Sequence, residues 1–283
     1  MSYALFLGCK IPYFVPQYET ALRRVMAELK MELVDMEFNC CGYPMRHLYI
    51  DSYLLAATQA LAKAGRSGLP LLTPCSCCFG SFKRAIHLLE TSRPRRESVI
   101  QTLGKETLDI ALGVNVRHLL SALYLDVGLE ALRDKVVRPL KGLQTAVMYG
   151  CHVLRPSRVT GFDNPYHPTI TDSLVEVTGA DSLDWAGRLS CCGAPLRNFN
   201  DDISRAMIEG RLTESAEAGA SVLCVSRPHT RMQADWALET SPGLARGGFV
   251  SEVVVYPQLL GLSLGIDAGE LGWSAAPDWA PQS

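Results

Sequence analysis

The chain has 283 residues, a net charge of −2, 48% hydrophobic and 20% charged residues, and ten cysteines. That is enough chain to bury a core without disulfide staples. The charge balance excludes the basic face of a nucleic-acid binder, and no apolar run reaches the roughly 18–20 residues of a membrane helix. Met1–Cys9 lacks the basic start and full apolar core of a signal peptide. The expectation is a cytoplasmic protein whose cysteines serve metal or redox chemistry rather than structural disulfides.

Tyr3–Leu7 is a short apolar run ending at Gly8-Cys9, which predicts a buried strand. Tyr18, Leu22, Val25 and Leu29 recur at helical spacing among charged residues and predict an amphipathic helix. Glu32–Met36 is a second strand candidate and leads into Cys40-Cys41. Leu48–Ala64, rich in Leu and Ala, predicts a helix. Leu71–Thr73 is a third strand, with Pro70 at its start and Pro74 stopping it before Cys75; Phe79–Leu89 then predicts a helix. This alternation implies a small parallel α/β unit with cysteines just past its strand ends, where open α/β sheets place ligand sites. Thr91–Asn115 is less regular and carries Arg93, Arg95 and Arg96, a solvated face or, more sharply, a docking patch for an acidic partner. Arg117–Leu132 is expected to be a helical connector.

The pattern then restarts. Thr145–Tyr149 is apolar and ends at Gly150-Cys151. Pro168–Thr178 predicts a helix with proline at its first position, and Asp181–Trp185 a strand or turn. Asp201–Ala218 predicts a helix capped by Asp201 or Asp202. Ser221–Val225 is a strand carrying Cys224, Val253–Tyr256 a further strand, and Leu259–Leu264 a short helix. The tail from Asp267 is expected to be irregular, with Trp273 and Trp279 docking on this chain or a partner. The fold expectation is α/β, with two pseudo-symmetric lobes over residues 1–142 and 143–266 and a tail over 267–283. Each lobe is a small parallel sheet flanked by helices, with a metal site at the strand C-terminal ends.

The motif that repeats is Cys40-Cys41-Gly42-Tyr43-Pro44, which returns as Cys191-Cys192-Gly193-Ala194-Pro195. Vicinal thiols are reactive and easily oxidised, so two such runs do not read as accident. Cys9 precedes the first copy and Cys75 and Cys78 follow it; Cys151 precedes the second and Cys224 follows it. The spacing of Cys75 and Cys78 lets two sulfurs chelate one metal site. Structural zinc and a cubane [4Fe–4S] cluster each take four ligands. The thiolates of the first unit exceed either need, which points to a larger or distorted iron–sulfur site or a bridging thiolate. The glycine after each pair lets the backbone turn sharply beside such a centre.

On these residues the chain resembles the cysteine-rich CCG family, and in its tandem form the B subunit of heterodisulfide reductase. Further matching stretches are Gly150-Cys151-His152 with Arg155-Pro156, and Tyr256-Pro257-Gln258-Leu259-Leu260-Gly261. The resemblance implies a noncubane [4Fe–4S] cluster on Cys9, Cys40, Cys41, Cys75 and Cys78, and a second cluster on Cys151, Cys191, Cys192 and Cys224. It also implies that the two clusters face one disulfide between the lobes and open it one electron each. In that pattern Arg227 stands where the last cysteine of the second set is expected, and arginine cannot ligate a metal. The second site could then hold a cubane, a noncubane cluster with an open iron, or a zinc, with His152 and His229 as replacement ligands.

The chain has neither a Gly-x-Gly-x-x-Gly nucleotide fingerprint nor a ferredoxin-type cysteine run, so electrons must come from partners. The resemblance implies a flavoprotein partner of the A type and a ferredoxin-type partner of the C type. In the related complexes of sulfur oxidisers it adds a lipoyl-bearing carrier protein, and the altered second motif inclines the reading toward that variant. Two function classes follow. One is an iron–sulfur catalytic subunit that works on disulfide or thiol sulfur. The other is a non-catalytic electron-transfer or assembly subunit with one cluster and a structural, zinc-type second site. A CCG subunit of a membrane-linked succinate, glycolate or lactate oxidoreductase is a third. Cys77 is off-pattern and reads as a packed thiol beside the site, although it could exchange with Cys78. Tyr43 and Pro44 are expected to fix the loop, and His47 to face solvent.

Overall fold

The computed structural model describes residues 1–241, 244, 247–250 and 252–280. In the first lobe the order is β1 (Ser2–Leu5), α1 (Pro16–Glu28), β2 (Glu32–Asp35), α2 (Ile50–Arg66), β3 (Leu71–Thr73), α3 (Ser76–Thr91), α4 (Arg93–Leu103), α5 (Lys105–Leu112) and β4 (Val116–His118). The second lobe runs β5 (Gln144–Met148), α6 (Cys151–Leu154), α7 (Ile170–Val177), β6 (Asp181–Leu183), α8 (Asp201–Glu217), β7 (Val222–Val225), α9 (Pro228–Thr240), β8 (Glu252–Val255) and α10 (Tyr256–Ser263). Each lobe has its own four-stranded sheet, ordered β2-β1-β3-β4 and β6-β5-β7-β8, with every neighbouring pair parallel. The two lobes therefore share one topology, as the doubled sequence pattern predicts.

The centre of each sheet is apolar because helices cover both faces. Ala4, Leu5, Leu71 and Leu72 are buried in the first, and Ala146, Val147, Leu223 and Val254 in the second. The chain leaves β1 to one side for β2 and returns to the other side for β3. The carboxyl ends of β1 and β3 thus splay at a switch point, the place where such sheets bind ligands. Gly8-Cys9 and Cys75 lie there.

Two stretches differ from expectation. Residues 91–115 form α4 and α5, separated by Gly104 at φ +84°. Their apolar periodicity is weak because only Val99, Leu108 and Ala111 are buried between them. Two arginines of this stretch have local work. Arg96 donates to the carbonyls of Leu89 and Glu90 and so caps the end of α3, while Arg93 pairs with Glu97 at 2.7 Å. The connector begins with β4, which pairs Val116 with Leu71 and His118 with Thr73. Three residues with Arg117 in the middle are too short and too polar to announce a strand.

The lobes are interlocked. Val137 and Arg138 donate to the carbonyl of Ser263, so the connector is already pinned to α10 before β5 begins. At the tail, Ala268–Leu271 forms a 3₁₀ turn and Glu270 pairs with Arg24 of α1 at 2.9 Å. Trp273 and Trp279 dock on this chain as an edge-to-face pair, ring centroids 6.1 Å apart, and the Trp273 indole donates to Glu252. The last three residues of the expected tail lie outside the described residues.

Candidate metal and thiol site

In the first lobe three strand ends deliver five patterned thiols. Cys9 follows β1, Cys40 and Cys41 follow β2, and Cys75 caps α3 with Cys78 in its first turn. Cys41, Cys75 and Cys78 are buried, Cys40 is half-buried and Cys9 is exposed. Gly42 adopts φ +77°, and a Cβ there would lie 2.8 Å from the Tyr53 ring of α2 and 2.9 Å from its carbonyl oxygen. The turn after the vicinal pair therefore requires glycine for both conformation and space. Gly8, at φ +75°, leaves the gap beside Cys78, whose Sγ would sit 2.9 Å from an added Cβ. Ser81 on α3 donates to the carbonyl of Cys41 at 2.9 Å, and the Tyr53 hydroxyl fixes Ser81 by donating to its carbonyl at 2.6 Å.

The thiols lie close enough to perturb one another. Cys41 and Cys9 push Cys40 down, with help from the amides of Gly42 and Tyr43, and Cys77 and Cys78 do the same to Cys75. The partners move the other way: Cys40 raises Cys9 and Cys41, and Cys41 and Cys75 raise Cys78. Five thiols this close cannot all ionise without positive charge among them. Soft thiolates from three loops, buried on one side and open at Cys9, match the donor chemistry of an iron–sulfur cluster. Among the described residues no three or more His, Cys, Asp or Glu side chains are drawn into single-ion geometry. Beside Cys9 and Cys40 lies an open cavity of about 260 Å³, walled by Phe6, Phe38, Tyr13 and Asp35.

The second lobe repeats the scaffold and changes the chemistry. Gly193 adopts φ +78°, packed 2.7 Å from the carbonyl of Ser204 by its would-be Cβ, as Gly42 packs on Tyr53. Cys151 opens α6, Cys191 is exposed and Cys192 is buried. The strand register then decides which residues correspond. Leu5 pairs with Leu72, and Val147 pairs with Cys224. Cys9 and Cys151 each stand four residues beyond that first partner. Cys224 therefore occupies the place of Leu72, inside the strand. Arg227 is the N-cap of α9, as Cys75 is of α3. Gln233, sixth residue of α9, donates to the carbonyl of Cys192, as Ser81, sixth of α3, does to Cys41. By cap, register and contact, Arg227 stands for Cys75, and Thr230 for Cys78.

This corrects the expected second set. Cys224 is fully buried, and the charges bearing on it or felt from it belong to Asp172, Tyr18 and Tyr256, not to Cys151, Cys191 or Cys192. Burial raises its thiol far above the usual range. Two of the three remaining thiols, Cys151 and Cys192, join Cys77 of the first lobe around a guanidinium. Arg227 is 2% exposed; its Nε donates to Cys77 Sγ at 3.2 Å, and its Nη1 to Cys151 at 3.7 Å and Cys192 at 3.9 Å. Burial works against its charge, but Cys77, Cys192, Cys151 and Tyr43 outweigh that and hold its pKa above the ordinary value. A fixed cation among three thiols does not fit either a five-thiolate cluster or a zinc ion.

The histidines serve the same junction. His152 Nδ1 is 3.3 Å from Cys77 Sγ, and its Nε2 meets both the Tyr43 hydroxyl and Arg46, each at 3.3 Å. Burial keeps His152 below its usual pKa. His229 Nδ1 is 3.9 Å from Cys77. Both rings thus address Cys77 of the first lobe rather than the second-lobe thiols. His47 is exposed and takes a hydrogen bond from Arg46. Pro44 is exposed in the 3₁₀ turn Tyr43–Met45, consistent with a loop-fixing part.

The junction itself is tightly packed. A Cβ on Gly80 would lie 2.4 Å from the His152 carbonyl oxygen, and one on Gly150 2.9 Å from Ser76 Oγ. Tyr18 donates to the carbonyls of Pro74 and Ser226, the residues just before Cys75 and Arg227. His118, which sequence reasoning missed, lies under this seam. The Leu120 amide donates to its Nδ1, leaving Nε2–H to donate to Ser76 Oγ at 3.3 Å. The signal for it was hidden, since a histidine ending a three-residue strand carries no motif.

The cysteine-rich domain family (CCG) matches residues 3–83 and 145–233. The B subunit of the ferredoxin/F(420)H(2)-dependent CoB-CoM heterodisulfide reductase of Methanosarcina acetivorans is 30% identical over 274 residues, covering 95% of this chain and 91% of its own length. The 8-methylmenaquinol:fumarate reductase membrane anchor subunit of Wolinella succinogenes is 31% identical over 274 residues, covering 96% and 95%. A heterodisulfide reductase B-subunit-like protein of Archaeoglobus profundus is 29% identical over 277 residues, covering 94% and 92%. Among solved structures, a hypothetical protein from Helicobacter pylori shares the fold, with a TM-score of 0.73 at 14% identity over 96% of this chain and 50% of that one. No helix among the described residues is long and apolar enough to cross a membrane.

Proposed function

Since this chain belongs to the cysteine-rich CCG family, in company with the B subunit of heterodisulfide reductase, we propose that it is the iron–sulfur subunit of a heterodisulfide-reductase-like complex. The proposed centre is a noncubane-type [4Fe–4S] cluster on Cys9, Cys40, Cys41, Cys75 and Cys78, acting on disulfide or thiol sulfur. The observation that carries the reading is the convergence of those five thiols at the switch point of the first sheet.

Bound there, an iron–sulfur cluster would supply electrons singly and an iron within reach of a substrate sulfur. The chain's own residues do the rest. Cys41, Cys75 and Cys78 anchor from the buried side, while Cys9 and Cys40 leave the solvent side open. Phe6 packs on both Phe38 and Phe82 and, with Phe38, makes an apolar wall beside Cys9 and Cys40. The cavity at Cys9 and Cys40 suits a small disulfide or the end of a lipoyl arm on a carrier protein. Tyr13, Phe14, Leu48 and Tyr49 are exposed apolar residues next to the site in the chain, suited to docking an A-type flavoprotein or a C-type ferredoxin-like protein.

The test is iron and sulfide analysis of anaerobically prepared chain with Cys41→Ala beside it. The wild type should carry iron and the variant essentially none, with loss of disulfide reduction by a reduced viologen. Full iron and turnover in the variant would sink the assignment. A second reading, a non-catalytic electron-transfer or assembly subunit, is favoured by Arg227, because a chain with one cluster passes one electron at a time, and opening a disulfide there requires a partner to supply two in succession. Iron loading with no turnover on any disulfide, while a partner subunit is still reduced, would select it.

A further inference from the structure

We propose that the second lobe carries no iron–sulfur cluster and no zinc: Arg227 supplies the positive charge there and binds Cys77, Cys151 and Cys192 in a metal-free thiol site at the lobe junction. The inference goes beyond the first-lobe cluster and rests on that reading only for the total iron count.

Three observations meet at this site. The first is correspondence. Register, helix cap and the Ser81 and Gln233 contacts place Arg227 and Thr230 where the first lobe has Cys75 and Cys78, so two of five donors are replaced. Cys224 cannot compensate, because it points its chemistry into the strand environment of Tyr18, Asp172 and Tyr256.

The second is the guanidinium. A charged group this buried persists only when it is hydrogen-bonded on all sides. Three sulfurs at 3.2, 3.7 and 3.9 Å accept its hydrogen bonds, and they are the atoms that a metal would need. One cation is already in place; a second at the same thiols meets like charge instead of compensation.

The third is the packing. The candidate replacement ligand His152 is spoken for on both ring nitrogens, by Cys77 and by Tyr43 with Arg46. Gly80 against the His152 carbonyl and Gly150 against Ser76 hold the two lobes in close contact at this seam. Arg227 thereby bridges the lobes, with Cys77 on one side and Cys151 and Cys192 on the other.

The experiment uses full-length chain prepared anaerobically and reconstituted with ferrous iron and sulfide. The expected result is about four irons per chain and no zinc, one [4Fe–4S] cluster. Cys192→Ser should leave that count unchanged. The double substitution Arg227→Cys with Thr230→Cys, which restores the first-lobe pattern, should raise it toward about eight. Should the double variant not fold, alkylation of the loaded wild type decides. Exposed Cys191 should react with iodoacetamide while Cys40 is protected, each read by peptide mass. About eight irons in the wild type, a zinc or iron loss with Cys192→Ser, or protection of Cys191 would overturn the proposal. A wild type with no iron at all would count against the first-lobe assignment alone.

Discussion

At the scale of single residues, what distinguishes the two sites is charge placement on one shared scaffold. Gly42 and Gly193 hold the same left-handed turn under their vicinal cysteines. Gly42→Ala would force a Cβ into Tyr53 at a positive φ. It should cost about 2 kcal/mol of stability and lower the iron content, read by chemical unfolding and iron assay. His118 offers a pH test. Burial depresses its pKa from 6.5 to about 3, against a weaker opposing hydrogen bond at Pro74. The unfolded chain takes the proton below about 6.5 and the folded chain resists it until about 3. Stability is therefore whole above that upper value and falls as pH drops through the window. Between about pH 6.5 and pH 5 the wild type should lose about 2 kcal/mol more than His118→Gln, measured by urea unfolding at the two pH values. Equal slopes for both proteins would refute the assignment.

Among the elements, most strands and helices are legible in the sequence, including β2, β6 and β8 that complete the sheets, whereas β4, α4 and α5 are not. β1, β3, β5 and β7 are short apolar runs stopped by Gly, Pro or Cys, and their burial on both faces produces that pattern. β4 and the helices α4 and α5 were obscured, since Arg117 interrupts the strand and few residues of the helices face the core. The second lobe also has a support no motif announces. Asp172, in the first turn of α7, accepts from the Tyr149 hydroxyl at 2.6 Å and Ser182 at 2.8 Å, and pairs with Arg188. Tyr149 directly precedes Gly150-Cys151. Asp172→Ala should destabilise the chain by about 1 kcal/mol through the lost Tyr149 and Ser182 hydrogen bonds, since half-buried Arg188 keeps Asp184 and the Pro168 carbonyl, seen as a lower denaturant midpoint. Asp172 touches none of the first lobe's thiols, so iron content should not change.

For the whole molecule, the two lobes share topology but not independence. Tyr18 of α1 spans the carbonyls of Pro74 and Ser226, α1 pairs through Arg24 with the tail, and the connector is tied to α10. A ligand bound to one part of such a body stabilises the whole by mass action. Stripping iron from the first lobe should lower the melting temperature of one shared transition. Two transitions, with only one moved by a chelator, would show that the lobes unfold separately. The lobes meet closely at Gly80 and Gly150, and the cavity at Cys9 and Cys40 opens on the first lobe.

The sequence by itself determined the duplication, the chemistry of the cysteines and the parallel α/β class. These follow from residue type and local order, which a linear pattern preserves. Only the tertiary structure decided the partner of each residue across the repeat. Cys224-Val225-Ser226-Arg227 imitates Cys75-Ser76-Cys77-Cys78 by spacing, as though Arg227 replaced the last cysteine. Strand register and the helix cap shift the correspondence by three residues, so Cys224 belongs to the core and Arg227 to the place of Cys75. Spacing along the chain cannot reveal this, because a strand's start relative to its neighbour is set by hydrogen-bond pairing and burial. Those are contacts between residues far apart in sequence.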